Sequence, residues 1–220
     1  MTIIKKNDFV EIEFTGKSNN EIFDTTNPKE AKSLGLNTNV KPVIVCVGRE
    51  MILKSLDKQL EGKKIGKNYS VHLTPEQAFG KRNPSLIKII PLRVFKQQNT
   101  MPQPGMVFQF DNQFAKIISV SGGRVTADFN HQLAGKEVDY YFKINKIITD
   151  DREKINAIQD FFFRKRFEFE LKDKKVIFKE SKLKPIIEVF KDKFKDISGL
   201  DIEVAEKKIS EKPLDKKNSN

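Results

Sequence analysis

One cysteine, Cys46, is all the thiol chemistry that this 220-residue chain holds. A single thiol excludes a disulfide or a thiolate zinc site within one chain. Cys46 stands inside the apolar run Val43-Ile44-Val45-Cys46-Val47, where it reads as a small buried hydrophobe. Histidine is nearly as scarce. His72 and His131 are the only two, far apart and without companion ligands, so neither is assigned to a metal and no cofactor is expected. No stretch approaches the roughly 18 to 20 uninterrupted apolar residues of a spanning helix, and the start, MTIIKKNDF, has no apolar run behind its charges. The expectation is a cytoplasmic protein with no membrane contact.

A long basic run is missing as well, although the formal charge is +11. Residues 151–220 hold 19 lysines and arginines against 15 acidic residues, a surplus of four, which leaves seven of the eleven charges spread over residues 1–150. The densest cluster, Arg164-Lys165-Arg166, lies between a helix pattern and a strand pattern and reads as a solvated turn or helix end. Nothing interleaves aromatic and basic residues as a known RNA module does, so no specific nucleic acid is expected as a partner.

What is present is a succession of short periodic segments. FVEIEFT, residues 9–15, alternates Val10, Ile12 and Phe14 with Glu11 and Glu13, the period of a strand with one buried and one wet face. Leu53, Leu56 and Leu60 sit one helical turn apart after Gly48 and stop at Gly62. Tyr69, Val71 and Leu73 alternate as another strand, and Thr74-Pro75-Glu76-Gln77 offers an N-cap, a proline at the first helical position and a capping-box glutamine. From Asn83 the texture changes. Prolines at 84, 91, 102 and 104 lead into two or three strand patterns separated by Asp111-Asn112 and Gly122-Gly123, a separate small β unit over about 84–131. A strand at Tyr140–Ile148 needs a partner sheet that the N-terminal block can supply, which makes that unit an insertion. After Asp150, helix and strand patterns alternate as α-β-β-α-β over 151–212, and 213–220 reads as a disordered tail.

Several of these segments, in this order, resemble the FKBP-type prolyl isomerases, in particular the SlyD-like and long archaeal branch with an insert in the flap. The pieces are FVEIEFTGK ending at Lys17, EIFDTT of Glu21–Thr26, Val47-Gly48 ahead of the helix, PEQAFGKRNP of Pro75–Pro84, and SVSGGRVTADFNHQLAGK of Ser119–Lys136. The resemblance implies an α+β fold: an FKBP half-barrel antiparallel sheet on a short helix (1–83 and 132–150), an inserted small all-β flap domain (84–131) and a C-terminal α/β domain. It implies peptidyl-prolyl cis/trans isomerase activity at a shallow apolar cleft lined by Phe14, Phe23, Asp24, Ile52, Leu53, Leu56, Phe79 and Tyr140. These residue types suit the reaction. The planar amide resists rotation by roughly 18–20 kcal/mol. Its twisted form has less charge separation, so an apolar wall favours it over the ground state without moving a proton.

The chain departs from the family at the cleft, where tyrosine is common at the positions of Phe14 and Phe79, glycine at Ser55 and a large aromatic at Leu56. A missing hydroxyl at Phe79 removes a hydrogen bond of roughly 0.5–1.5 kcal/mol, so weakened catalysis is expected. The insert is small enough to leave apolar surface exposed. Met101, Met106, Phe108, Phe110, Phe114 and Ile118 are the candidates for binding unfolded chains, by strand-like and apolar contacts that the resemblance also implies. Expected partners are unfolded or nascent polypeptides with X-Pro bonds and, through the C-terminal domain, a second copy of the chain. A holdase with little or no isomerase activity is the alternative reading.

Overall fold

The computed structural model describes residues 2–35 and 40–205; the tail expected over 213–220 and the last residues of the C-terminal unit lie outside that range. In chain order the first unit comprises β1 (Phe9–Ser18), β2 (Glu21–Thr25), α1 (Pro28–Ser33), β3 (Val43–Cys46), α2 (Lys54–Asp57) and β4 (Asn68–Leu73). There follow β5 (Ile87–Pro91), α3 (Leu92–Gln97), β6 (Val107–Phe110), β7 (Gln113–Ser121), β8 (Arg124–Asp128) and then β9 (Val138–Ile147). The chain continues through α4 (Asp151–Phe163), β10 (Phe169–Lys172), β11 (Lys175–Phe178), α5 (Lys184–Ser198) and β12 (Asp201–Val204).

The first sheet is antiparallel, in the order β2-β1-β9-β4, with β3 also paired to β1. Strand β1 is its hub: Phe14 lies opposite Phe142 and Gly16 opposite Tyr140 on β9, Thr15 opposite Thr25 on β2, and Phe9 opposite Cys46 on β3. The alternation read from FVEIEFT works as a strand should. Val10 and Ile12 are fully buried while Glu13 faces solvent. Leu56 and Leu60 close the core from the helix side, each worth about 1.5–3 kcal/mol of burial. The helix expected from Leu53 to Gly62 is only one α turn, because the next bonds, Gln59 N–H to Leu56 O and Leu60 N–H to Asp57 O, span three residues and tighten the coil. Helix α1 was not anticipated, although Asn27 accepting from Lys29 N–H at 3.0 Å and Pro28 at the first position are its start signals.

The inserted unit forms its own four-stranded antiparallel sheet, β5-β8-β7-β6, over a separate small core of Phe95, Ala115, Ile117, Val125 and Ala127. It is not all-β. Pro91 ends β5, and Leu92 and Phe95, three residues apart on α3, lay one apolar edge on the sheet with Phe95 buried. Phe108 and Phe110, expected as exposed binding residues, instead flank Phe95 at 5.3 and 5.8 Å between ring centres. The two-residue period of β6 sends both to the core face, and the small core needs their volume.

In the C-terminal segment β10 and β11 pair antiparallel across Asp173-Lys174, both at positive φ, the geometry of a two-residue hairpin turn. Strands β11 and β12 are parallel, which requires the crossover that α5 supplies. Ile155 and Ile158 of α4, Phe178, Ile187 and Phe194 belong to the same continuous core as β1 and β9. An ion pair of Arg49 with Asp196 on α5 ties the two at the surface.

Candidate active site

Four aromatic rings meet beside the first sheet. Phe23 on β2 stands edge-on to Tyr140 on β9 and to Phe79, in each case at 5.7 Å between centres, and Phe14 meets Tyr140 at 5.9 Å. Edge-to-face geometry at this separation is favourable for aromatic quadrupoles and holds the rings in fixed relative positions. Phe79 is delivered by the single turn at Pro75–Gln77, where Gln77 Oε1 accepts from Thr74 N–H at 3.1 Å and Gly80 N–H closes on Pro75 O at 2.7 Å. The rings crowd against β1 at Gly16: a Cβ there would lie 2.6 Å from Phe23 Cζ and 3.0 Å from Tyr140 Cε1. Only glycine admits this approach.

His131 completes the cluster, its ring parallel to that of Phe79 within 3° and 4.7 Å away. Its Nδ1 accepts from Leu133 N–H at 3.2 Å. No spacing in the sequence pointed to His131 as a wall residue. The segment around it stitches the root of the insert beside the cleft. Asn83 N–H donates to Asn130 Oδ1 at 2.8 Å, Asn130 Nδ2 returns a bond to Asn83 O at 3.0 Å, Gly135 N–H donates to Gly80 O at 2.8 Å, and Arg82 pairs with Asp128.

Phe14, Asp24 and Ile52 line an open cleft of about 560 Å³. Leu53 is half-buried and packs on the core. Two residues expected as cleft walls are interior instead. Leu56 is 1% exposed and Tyr140 3%, because α2 aims Leu56 inward and β9 places Tyr140 on the buried face, so Leu56 is core and Tyr140 is the buried ring of the cluster. Burial pushes the Tyr140 hydroxyl far above the ordinary phenol range, with the nearby Asp24 charge adding to the effect. Asp24 counts as exposed as a residue, yet burial of its carboxyl raises its pKa, opposed by the backbone of Thr25. Nearby, the buried Asp57 carboxylate accepts from Gly48 N–H at 3.0 Å and Glu50 N–H at 2.8 Å, which fixes the loop leading to Met51 and Ile52.

A second expectation concerned the insert. Met101, Met106, Phe114 and Ile118 are exposed, as are Ile89 and Val107, which sequence reasoning did not single out. Ile89, Val107, Phe114 and Ile118 come from β5, β6 and β7, on the side of the sheet away from its core.

The model of the family described as FKBP-type peptidyl-prolyl cis-trans isomerase matches residues 2–95, and that described as the IF domain of FKBP26 matches residues 88–133. A short-type peptidyl-prolyl cis-trans isomerase of Methanocaldococcus jannaschii is 30% identical over 156 residues, 70% of this chain and 99% of that protein. The chain belongs to the FKBP-type peptidyl-prolyl cis-trans isomerases. SlyD of Aeromonas hydrophila is 28% identical over 137 residues, which cover 61% of this chain and 59% of SlyD. The FKBP-type 16 kDa isomerase of Escherichia coli is 30% identical over 114 residues, half of this chain and 76% of that protein. This FKBP carries the insert-in-flap unit and is a prolyl isomerase. An aromatic basket without a nucleophile and base pair suits that reaction, since rotating the amide needs neither.

Proposed function

We propose that this FKBP is a folding helper in which the insert holds unfolded polypeptide and passes prolyl bonds to the cleft at its root. The carrying observation is the junction itself: Phe79 of the cleft stacks on His131 at the foot of the insert, while Ile89, Val107 and Phe114 stand 61–65% exposed on the insert's outer face. An isolated unit this small gains nothing from three large apolar side chains in water unless a partner covers them. Strand β6 is also an edge of its sheet, open to pairing with an extended chain. Prolyl rotation would take place over Phe14, Phe23, Asp24, Ile52 and Phe79, with Leu53 beside them and Tyr140 and Leu56 interior.

The test is a proline-limited refolding reaction catalysed by the intact chain and by a variant with Ile89, Val107 and Phe114 changed to serine. Short-peptide turnover kept in the variant, with refolding catalysis lost, is the expected pair of results. Equal refolding rates would refute a role for the insert. Suppressed aggregation with no catalysis by either protein would favour a holdase.

We place this activity in the cytoplasm; no helix among the described residues is long and apolar enough to cross a membrane. The second copy expected at the C-terminal unit would cover Ile186 and Val189 of α5, which are 42% and 74% exposed. Sedimentation of wild type against Val189→Glu would test it.

A further inference from the structure

The cleft does not end at the prolyl wall. Its far side is built by the C-terminal segment: Ala157, Asp160, Phe161 and Arg164 of α4 and its cap share one cavity with Phe14, Asp24 and Ile52. This placement is held firmly. Helix α4 packs on β3, its Ile155 and Ile158 lie in the common core, and the buried Gln159 accepts from Phe167 N–H at 2.7 Å, which fixes the turn carrying residues 164–166. Arg166 is committed, its guanidinium gripping Asp160 through bonds of 2.6 to 3.1 Å. Glu11, on the same lining, faces Lys146 at 3.8 Å. Arg164 and Lys41 also line the cleft, and among the described residues neither has a carboxylate within 4 Å.

The backbone adds a second observation. Arg164 is the C-cap of α4 at φ 53°, in the left-handed region where a side chain is strained and glycine is the usual choice. The other long helix of the same segment, α5, uses Gly199 at that position. Arg164 thus joins a strained backbone at the mouth of the cleft to a cation with no carboxylate within 4 Å among the described residues, although eight other non-glycine residues also take positive φ.

Resting on the assignment of the prolyl cleft above, we infer that the C-terminal segment supplies a specificity subsite, in which Arg164 and Lys41 select substrate chains with an acidic side chain within two residues of the prolyl bond. Phe161 gives the subsite an apolar side against which the stem of a glutamate can lie. The selection is electrostatic and open to solvent, so its size is that of an exposed ion pair, about two- to fivefold in kcat/KM, and salt reduces it.

The experiment measures kcat/KM for short proline peptides in which glutamate, glutamine or lysine is placed in turn at the two positions before and the two after proline. Wild type is compared with Arg164→Gln, Lys41→Gln and Arg164→Gly. The glycine variant removes the charge while relieving the backbone, so loss of charge and loss of folding separate in its melting temperature. Expected is a glutamate over glutamine ratio of about two to five at one position, weaker at high salt and falling towards one in both Arg164 variants. Equal ratios at all four positions with active wild type would overturn the subsite and leave the cleft standing. A glutamate preference that survives in the Arg164 and Lys41 variants would overturn it too. No turnover of any peptide would overturn the cleft and the subsite together.

Discussion

Alanine in place of Gly16 adds one methyl group where β1, Phe23 and Tyr140 converge. The new carbon would sit 2.6 Å from Phe23 Cζ and 3.0 Å from both Phe23 Cε2 and Tyr140 Cε1. Carbon contacts settle at about 3.5–4.0 Å, so the edge of the Phe23 ring has to retreat by roughly 1 Å. Gly16 is not among the positive-φ residues and lies in a strand, so alanine carries no backbone penalty and the effect isolates the ring contact. Overpacking costs about 1–3 kcal/mol, and each kcal/mol lowers Tm by about 2–4 °C in a chain of this size, a range of about 2–12 °C. Phe23 is half-buried and can swing outward, which places the outcome in the lower half. The cleft is affected more. Phe23 is the ring that holds Phe79 and Tyr140, and displacements of about 1 Å at a reacting centre can cost up to 100-fold. We expect kcat/KM in a protease-coupled peptide assay to fall at least about tenfold, with Tm lowered by no more than about 6 °C. Unchanged kcat/KM together with unchanged Tm would refute the close approach and the role given to Phe23.

Three further outcomes follow from the same geometry. Asp57→Ala leaves the Gly48 and Glu50 amides without their carboxylate acceptor in a buried setting, so stability should fall by about 2–4 kcal/mol in urea titration, and a loss below about 0.5 kcal/mol would contradict it. Cys46, buried with its thiol pushed up to about 11, should resist a thiol-specific chromogenic reagent at pH 8 in the native protein and react only on unfolding. Asp24 has its folded pKa raised above the ordinary 3.8, so ionisation works against the fold. The penalty is present above the folded pKa and disappears as pH falls through it towards 3.8. Asp24→Asn should therefore melt above wild type at pH 7 and lose that advantage in acid; a higher melting point at both pH values would point to another cause.

The alternation of β1 and the Pro75–Gly80 turn could be read directly because each is local: period, caps and turn chemistry are properties of neighbouring residues. The family resemblance rested on such segments in order. Which apolar residues stay exposed could not be read so well. Phe108, Phe110 and Phe114 are the same residue type, and it is the side of the sheet that each faces, with α3 covering only one side, that puts the first two against Phe95 and leaves Phe114 and Val107 in water.

Sequence by itself determined the reaction class and the existence of an inserted unit, since these rest on short motifs whose local geometry is self-contained. Tertiary structure decided that Tyr140 and Leu56 are interior, that His131 stacks on Phe79, and that Phe161 and Arg164 of α4 and its cap share a cavity with Phe14, Asp24 and Ile52. Those outcomes depend on how a sheet curves and how two units dock, and residues far apart in the chain, such as Phe79 and His131 or Phe14 and Arg164, carry no shared local signal of where they will meet.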